Sequence, residues 1–229
     1  MYIVAMNQQL EELRQTLLKK SSVKQLAYRK TRDNFNLLRE LASQTAHELS
    51  QLVSAEDPNV EVKFYEKSEF EFHLKFSGDT LVFMMHTNVF DFESSHFLHQ
   101  LPYVQQNPLR EFCGMIQIYN FLADSLKYNR ESDLGYLVGR IFINSEEHLF
   151  VEGKRPLSFL YSDFSTCMAS KELFSNLITE SMKFCLNFDL QAPPVEAVSL
   201  LSVEQKNFMS FSSGIPTAKR LGFRMEKED

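Results

Sequence analysis

The chain has 229 residues, 44% of them hydrophobic, and a formal net charge of −6. That is enough for one well-buried core with an appended arm, and no apolar run approaches the ~20 residues of a membrane span. It holds 21 Phe, no Trp and only 7 Gly, a greasy core with no phosphate-cradling glycine loop, which argues against a nucleotide enzyme of the P-loop or Rossmann type.

The first residues, MYIVAMNQQLEEL, lack the basic-then-apolar build of a secretory signal, so a cytoplasmic setting is expected. From Met6 to Val53 there is neither Pro nor Gly, and Leu, Gln, Glu, Lys and Arg dominate, a composition that favours helix. Met6, Leu10, Leu13 and Leu17 follow a 4-3-4 spacing, a narrow seam of the kind that pairs with another helix. Val23, Ala27, Phe35, Leu38, Ala42, Leu49 and Leu52 continue as a broader face suited to lying on a sheet. Ser21-Ser22 between them predicts two pieces or a bend.

This arm (1–55) is basic while the rest is acidic. Residues 1–40 carry eight basic side chains against four acidic ones, a net of +4, so −10 falls on the remainder. Lys19, Lys20, Lys24, Arg29, Lys30 and Arg32 are therefore the candidates for binding nucleic acid, and Leu10, Leu13 and Leu17 those for binding a protein or a second copy. A solvated helix face explains the same charges.

Glu56-Asp57-Pro58-Asn59 stops the helix and opens an α+β domain (56–209). Val60, Val62 and Phe64 alternate with Glu61, Lys63 and Tyr65, a first strand, and Glu66-Lys67-Ser68 is short enough for a hairpin. Phe70, Phe72, Leu74 and Phe76 alternate without a miss against Glu69, Glu71, His73 and Lys75, the mark of a strand with one buried face. After Ser77-Gly78-Asp79, Leu81 to Met85 is apolar on both faces and predicts a strand deeper in the sheet. Asp91 to Gln100 reads as a short helix and Leu101 to Pro108 as loop. Gly114 to Leu122 reads as a strand, and Leu137 to Asn144 with His148 to Glu152 as a second hairpin. Ser170 to Phe188 has apolar residues at helical spacing, with Ser170 as N-cap and Pro193-Pro194 beyond its end. Val195 to Phe208 is a last helix or edge strand, and 210–229 a polar tail. The expected architecture is α+β: an antiparallel sheet of five to six strands, a long N-terminal helical arm, and a C-terminal helix packed on the sheet.

Asp91, Glu93, His96 and His99 form the densest group of metal-ligand types. If 91–100 were helical, Glu93, His96 and His99 at i, i+3, i+6 would share a face; a polar helix end explains the same letters. Glu152-Gly153-Lys154 after an apolar strand resembles the Glu-x-Lys of restriction-type metal-dependent nucleases. That resemblance implies a divalent ion on Glu152 and a phosphate facing Lys154, but it needs an upstream strand carboxylate, for which Asp133 is the nearest residue. Cys113, Cys167 and Cys185 are odd in number and have no Cys-x-x-Cys spacing, so reduced thiols are expected. Cys167 precedes a helix, whose N-terminus would lower its pKa. His47 and His86 read as structural. With no complete catalytic constellation and no cofactor expected, the sequence favours a non-enzymatic protein-interaction or regulatory module, self-associating through its N-terminal helix. Nucleic-acid binding and a metal-dependent enzyme are the alternatives.

Overall fold

The computed structural model describes residues 2–131, 133–189, 192, 195–204 and 206–207, with side chains from residue 8 onward except at 197 and 198. Met6 and the tail 210–229 therefore lie outside the described side chains and residues. The chain begins with α1 (Tyr2–Thr16), which passes through a single π turn (Leu17–Ser21) into the 33-residue α2 (Ser22–Ser54). The expected break at Ser21-Ser22 is thus a wide turn inside one continuous helix. Serines weaken a helix only mildly, and without Gly or Pro the backbone ladder is not interrupted.

Six strands follow as an antiparallel meander in sequence order: β1 (Val62–Ser68), β2 (Glu71–Phe76), β3 (Asp79–Phe90), β4 (Cys113–Leu122), β5 (Tyr136–Asn144) and β6 (Leu149–Gly153). β1 runs through the residues expected to turn. A bulge between Glu66 and Ser68 takes up the extra residue, and the chain reverses at Glu69-Phe70. The guanidinium of Arg39, on α2, donates to the carbonyls of Ser68 (3.1 Å) and Glu69 (2.5 Å) and holds that turn.

One face of the sheet carries Phe72, Leu74, Phe76, Leu81, Phe83, Ile116, Ile118, Val138 and Ile141 against Phe35, Leu38 and Ala42 of α2. The same face receives Phe174, Leu177, Ile178 and Met182 of α6 (Lys171–Leu186). Ser170 caps α6, its hydroxyl accepting from the Leu173 N–H at 3.1 Å. Helix α2 approaches β4 closely: a Cβ on Gly114 would lie 2.2 Å from the Thr31 hydroxyl, so the crossing needs glycine.

The other face is covered toward β5 and β6 by a second layer. There Met115, Phe142 and Phe150 pack with Leu98, Val104 and Phe164 in a second cluster. The stretch between β3 and β4 supplies Leu98 and Val104, and it departs from expectation. β3 extends to Phe90, residues 91–96 are not helical, a 3-10 turn spans Phe97–Gln100, and the stretch read as loop contains α3 (Pro102–Gln106). Pro102 supplies the fixed φ of a first helical position. A second 3-10 turn (Pro108–Glu111), α4 (Ala123–Lys127), α5 (Leu157–Leu160) and α7 (Val195–Val198) complete the described elements. No helix among the described residues is long and apolar enough to cross a membrane.

Candidate functional site

The first part of the arm is open to solvent. Every residue from 8 to 22 is exposed, and burial starts only at Val23. Leu10, Leu13 and Leu17 remain 56, 55 and 54% exposed, and Leu18 and Leu26 join them among the exposed leucines. The π turn decides which way these leucines point. An α-helix advances about 100° per residue, and a π turn takes in one residue more per turn, which turns the residues before it forward by about 100° relative to the residues after it. The body-facing positions of α2 are Ala27, Thr31, Asn34, Phe35, Leu38 and Ala42. With the π turn counted, Leu10, Leu13 and Leu17 lie about 140° from that row, and Leu18 and Leu26 fall on their side. Without it, the leucines would turn back toward the body side. The seam is brought together as one outward stripe.

The basic candidates of the same helix are engaged differently. Lys20 and Lys24 place their ammonium groups over the Phe112 ring at 5.1 and 4.6 Å. Lys30 pairs with Glu147 at 3.0 Å, and Arg32 pairs with Glu69. Lys19 and Arg29 are exposed. Four of the six cations thus tie the helix to its own body, which leaves no continuous phosphate track.

Asp91, Glu93, His96 and His99 do not converge, because the stretch holding the first three is extended and turned instead of helical. His99 directs Nε2 at the Glu93 carbonyl (3.0 Å), not at its carboxylate, and Nδ1 at the Glu111 carboxylate (3.5 Å). Burial, then the charge of Asp91, raises the Glu111 pKa. His96 turns away to β6, where Nε2 lies 3.1 Å from Oε1 of Glu152. Its Nδ1 accepts the Leu98 N–H, so the proton sits on Nε2 and is donated to Glu152. Its ring stacks on Phe92 at 4.6 Å. Among the described residues no group of three or more His, Cys, Asp or Glu is arranged to hold a metal ion.

Glu152 therefore joins two candidates that the sequence presents separately. Its other oxygen takes the guanidinium of Arg140 across the β5–β6 pair. A cation occupies the place where a nuclease-type ion would have to sit, and Asp133 is elsewhere, accepting from the Ser125 hydroxyl at 2.6 Å. Gly153, at φ 154°, has its own backbone reason: a Cβ there would lie 2.4 Å from the Val138 carbonyl of β5.

The thiols are poor nucleophiles. Cys113 and Cys185 are buried, and burial raises the Cys113 pKa well above its ordinary value. Against the expected lowering at Cys167, burial, then the charge of Asp163, raises its pKa. His47 is exposed beside Gln51 (3.0 Å), and His86 lies against Phe90 and accepts the Asn88 N–H.

A cavity of about 740 Å³, which no sequence motif signals, opens at the β2–β3 turn, where Lys67, Lys75 and Lys127 alternate with Asp79, Asp124 and Asp189. Its charges balance, so it favours neither anion nor cation, and residues so far apart in the chain give no local signal. No family model matches the chain, nor does any curated protein or solved structure.

Proposed function

We propose that this chain is a non-enzymatic protein-interaction module that self-associates through its N-terminal arm. What carries the reading is the outward stripe: Leu10, Leu13 and Leu17 each stay more than half exposed, in a stretch of helix (8–22) whose residues are all exposed. Large apolar side chains in register on a free helix bury their surface against another helix. The disposition of the chemical candidates adds support, since His96 and Glu152 are spent on each other and on Arg140. Three free cysteines fit a reducing, cytoplasmic setting.

Magnitudes set the strength. Burying the exposed part of six leucines, three from each copy, yields about 6–9 kcal/mol. Association costs at least ~4 kcal/mol, with side-chain ordering added. A weak, concentration-dependent dimer is the expected state. Light scattering over a concentration series tests it: wild type should grow in mass with concentration, and Leu10→Glu/Leu17→Glu should remain monomeric with an unchanged unfolding midpoint. A wild type that is monomeric at its highest soluble concentration would overturn the reading.

A further inference from the structure

The π turn is not imposed by the packing of the body. Leu17 to Ser21 are all exposed, and none of the five is buried. Such turns are rare inside α-helices and collect where function needs them. The regular ladder is back at Ser22, whose N–H donates to the Leu18 carbonyl. The turn thus takes in a single residue and leaves α geometry on either side.

What that residue changes is the side on which the leucines lie. With the turn, Leu10, Leu13 and Leu17 stand about 140° from the row of Ala27, Thr31, Phe35 and Leu38; in an unbroken α-helix of the same length they would stand about 40° from it. The space on the row's side is taken by the body. Lys20 and Lys24 lie over Phe112, Lys30 reaches Glu147, and Thr31 abuts Gly114 so closely that a Cβ there would lie 2.2 Å from its hydroxyl. The exposed stretch 8–22 is only about 21 Å long, and a partner helix is about 10 Å thick. Laid on the body side, that helix meets the body whichever way it runs. A parallel partner brings its own body into the same space, and an antiparallel one drives the end of its arm toward Phe112. On the side about 140° away neither collision arises.

We infer that the π turn is a phase-correcting device: by absorbing one residue it holds the leucine stripe away from the body, and pairing with a second copy depends on that facing, not on the turn's own shape. This rests on the self-association proposed above. Changes of length at the turn, made in the full chain, separate facing from sequence. Deleting Ser21 removes the absorbed residue and lets the helix run as regular α with the stripe at the same angle, so the dimer dissociation constant should stay within about threefold of wild type. Inserting one alanine between Ser21 and Ser22 swings the same leucines by about 100°, to the body side. The dissociation constant should then rise by about tenfold or more. In the insertion variant the outward positions become 11, 14 and 18, where Leu18 already stands. Leu10→Gln/Glu11→Leu/Leu13→Gln/Arg14→Leu/Leu17→Gln should therefore restore association there. Light scattering over a concentration series reads the constants, and an unchanged urea midpoint shows the body intact in each variant. If the insertion pairs as well as the deletion, facing is immaterial and the inference falls while self-association stands. A deletion that abolishes pairing, or a leucine shift that fails to restore it, overturns the inference as well. If wild type is monomeric at its highest soluble concentration, both fall.

Discussion

Nε2 of His96 lies 3.1 Å from Oε1 of Glu152, although the two are 56 positions apart in the chain. The contact closes the covered end of the sheet's second face: His96 leads into the 3-10 turn that buries Leu98, and Glu152 stands on β6 beside Phe150. Arg140 completes the row from β5. All three side chains are partly exposed, so the row braces the loop more than it stabilises the whole fold.

Accordingly, His96→Ala or Glu152→Ala should cost only about 1 kcal/mol in urea unfolding. Element analysis of purified protein should find no stoichiometric zinc, iron or manganese. A tightly held ion lost on His96→Ala would mean that the imidazole leaves Glu152 to bind metal.

Phe72 should cost far more. It is fully buried, with ring centroids 4.6 Å from Phe83, 5.2 Å from Phe35 and 5.6 Å from Phe64. Phe72→Ala is expected to lose ~3–5 kcal/mol, whereas Phe70→Ala, half-buried in the turn, should lose about 1–2. Equal small losses at both positions would refute the strand register.

The α2–β4 crossing offers a test of close packing. Gly114→Ala should destabilise by about 1–3 kcal/mol, since its Cβ would meet the Thr31 Oγ1, Cβ and Cγ2 at 2.2, 2.7 and 2.9 Å. Thr31→Gly in the same chain removes all three atoms and should recover stability relative to Gly114→Ala alone. Absence of any coupling in the double-mutant cycle would show that the helix simply moves aside.

These contrasts mark what the sequence made legible. Strict alternation from Phe70 to Phe76 and the three-four spacing from Leu173 to Cys185 are local signals, and β2 and α6 stand where they put them. The sheet's second cover was not legible. Residues 91–112 fold into short turns whose apolar positions, Leu98 and Val104, follow no period because each answers to Phe142, Phe150 and Phe164 on distant elements. For the same reason Glu93, His96 and His99 looked like one helical face: their spacing assumed a local geometry that the packing of Phe92 and Leu98 overrides. Leu10, Leu13 and Leu17 were visible as a row, but their outward direction depends on the π turn, which no residue type announces.

His73 gives the fold a pH dependence. It is buried, with Glu71 at 2.6 Å, and its pKa lies below the ordinary 6.5, chiefly because burial disfavours the charged ring; the Glu71 hydrogen bond and charge oppose this, and Lys67 adds to it. The unfolded chain then takes up the proton first, so stability is full above pH 6.5 and is lost as pH falls through the folded value. Urea unfolding above and below that point should show the slope, and His73→Gln should flatten it. Glu61, held down to about 2 by Lys63 and Lys75, titrates in a separate, more acid window and does not confound the measurement.

The arm's cations make a final prediction, against nucleic acid as the partner. Each phosphate neutralised on duplex DNA contributes about −0.9 to the slope of log affinity against log salt. With Lys20 and Lys24 over Phe112, Lys30 on Glu147 and Arg32 on Glu69, Lys19 and Arg29 are the candidates not engaged with the body, so the slope should not exceed about −2. The acidic remainder of the chain lowers affinity further. Lys20→Ala and Lys24→Ala should accordingly read out in stability, at about 0.5–1 kcal/mol each for the lost ring contact, and leave what DNA affinity there is nearly unchanged. A salt-titrated binding assay on wild type and the two variants measures both quantities. Tight binding with a slope near −5, reduced by each lysine substitution, would show that these side chains leave the body for phosphate and that the arm serves nucleic acid.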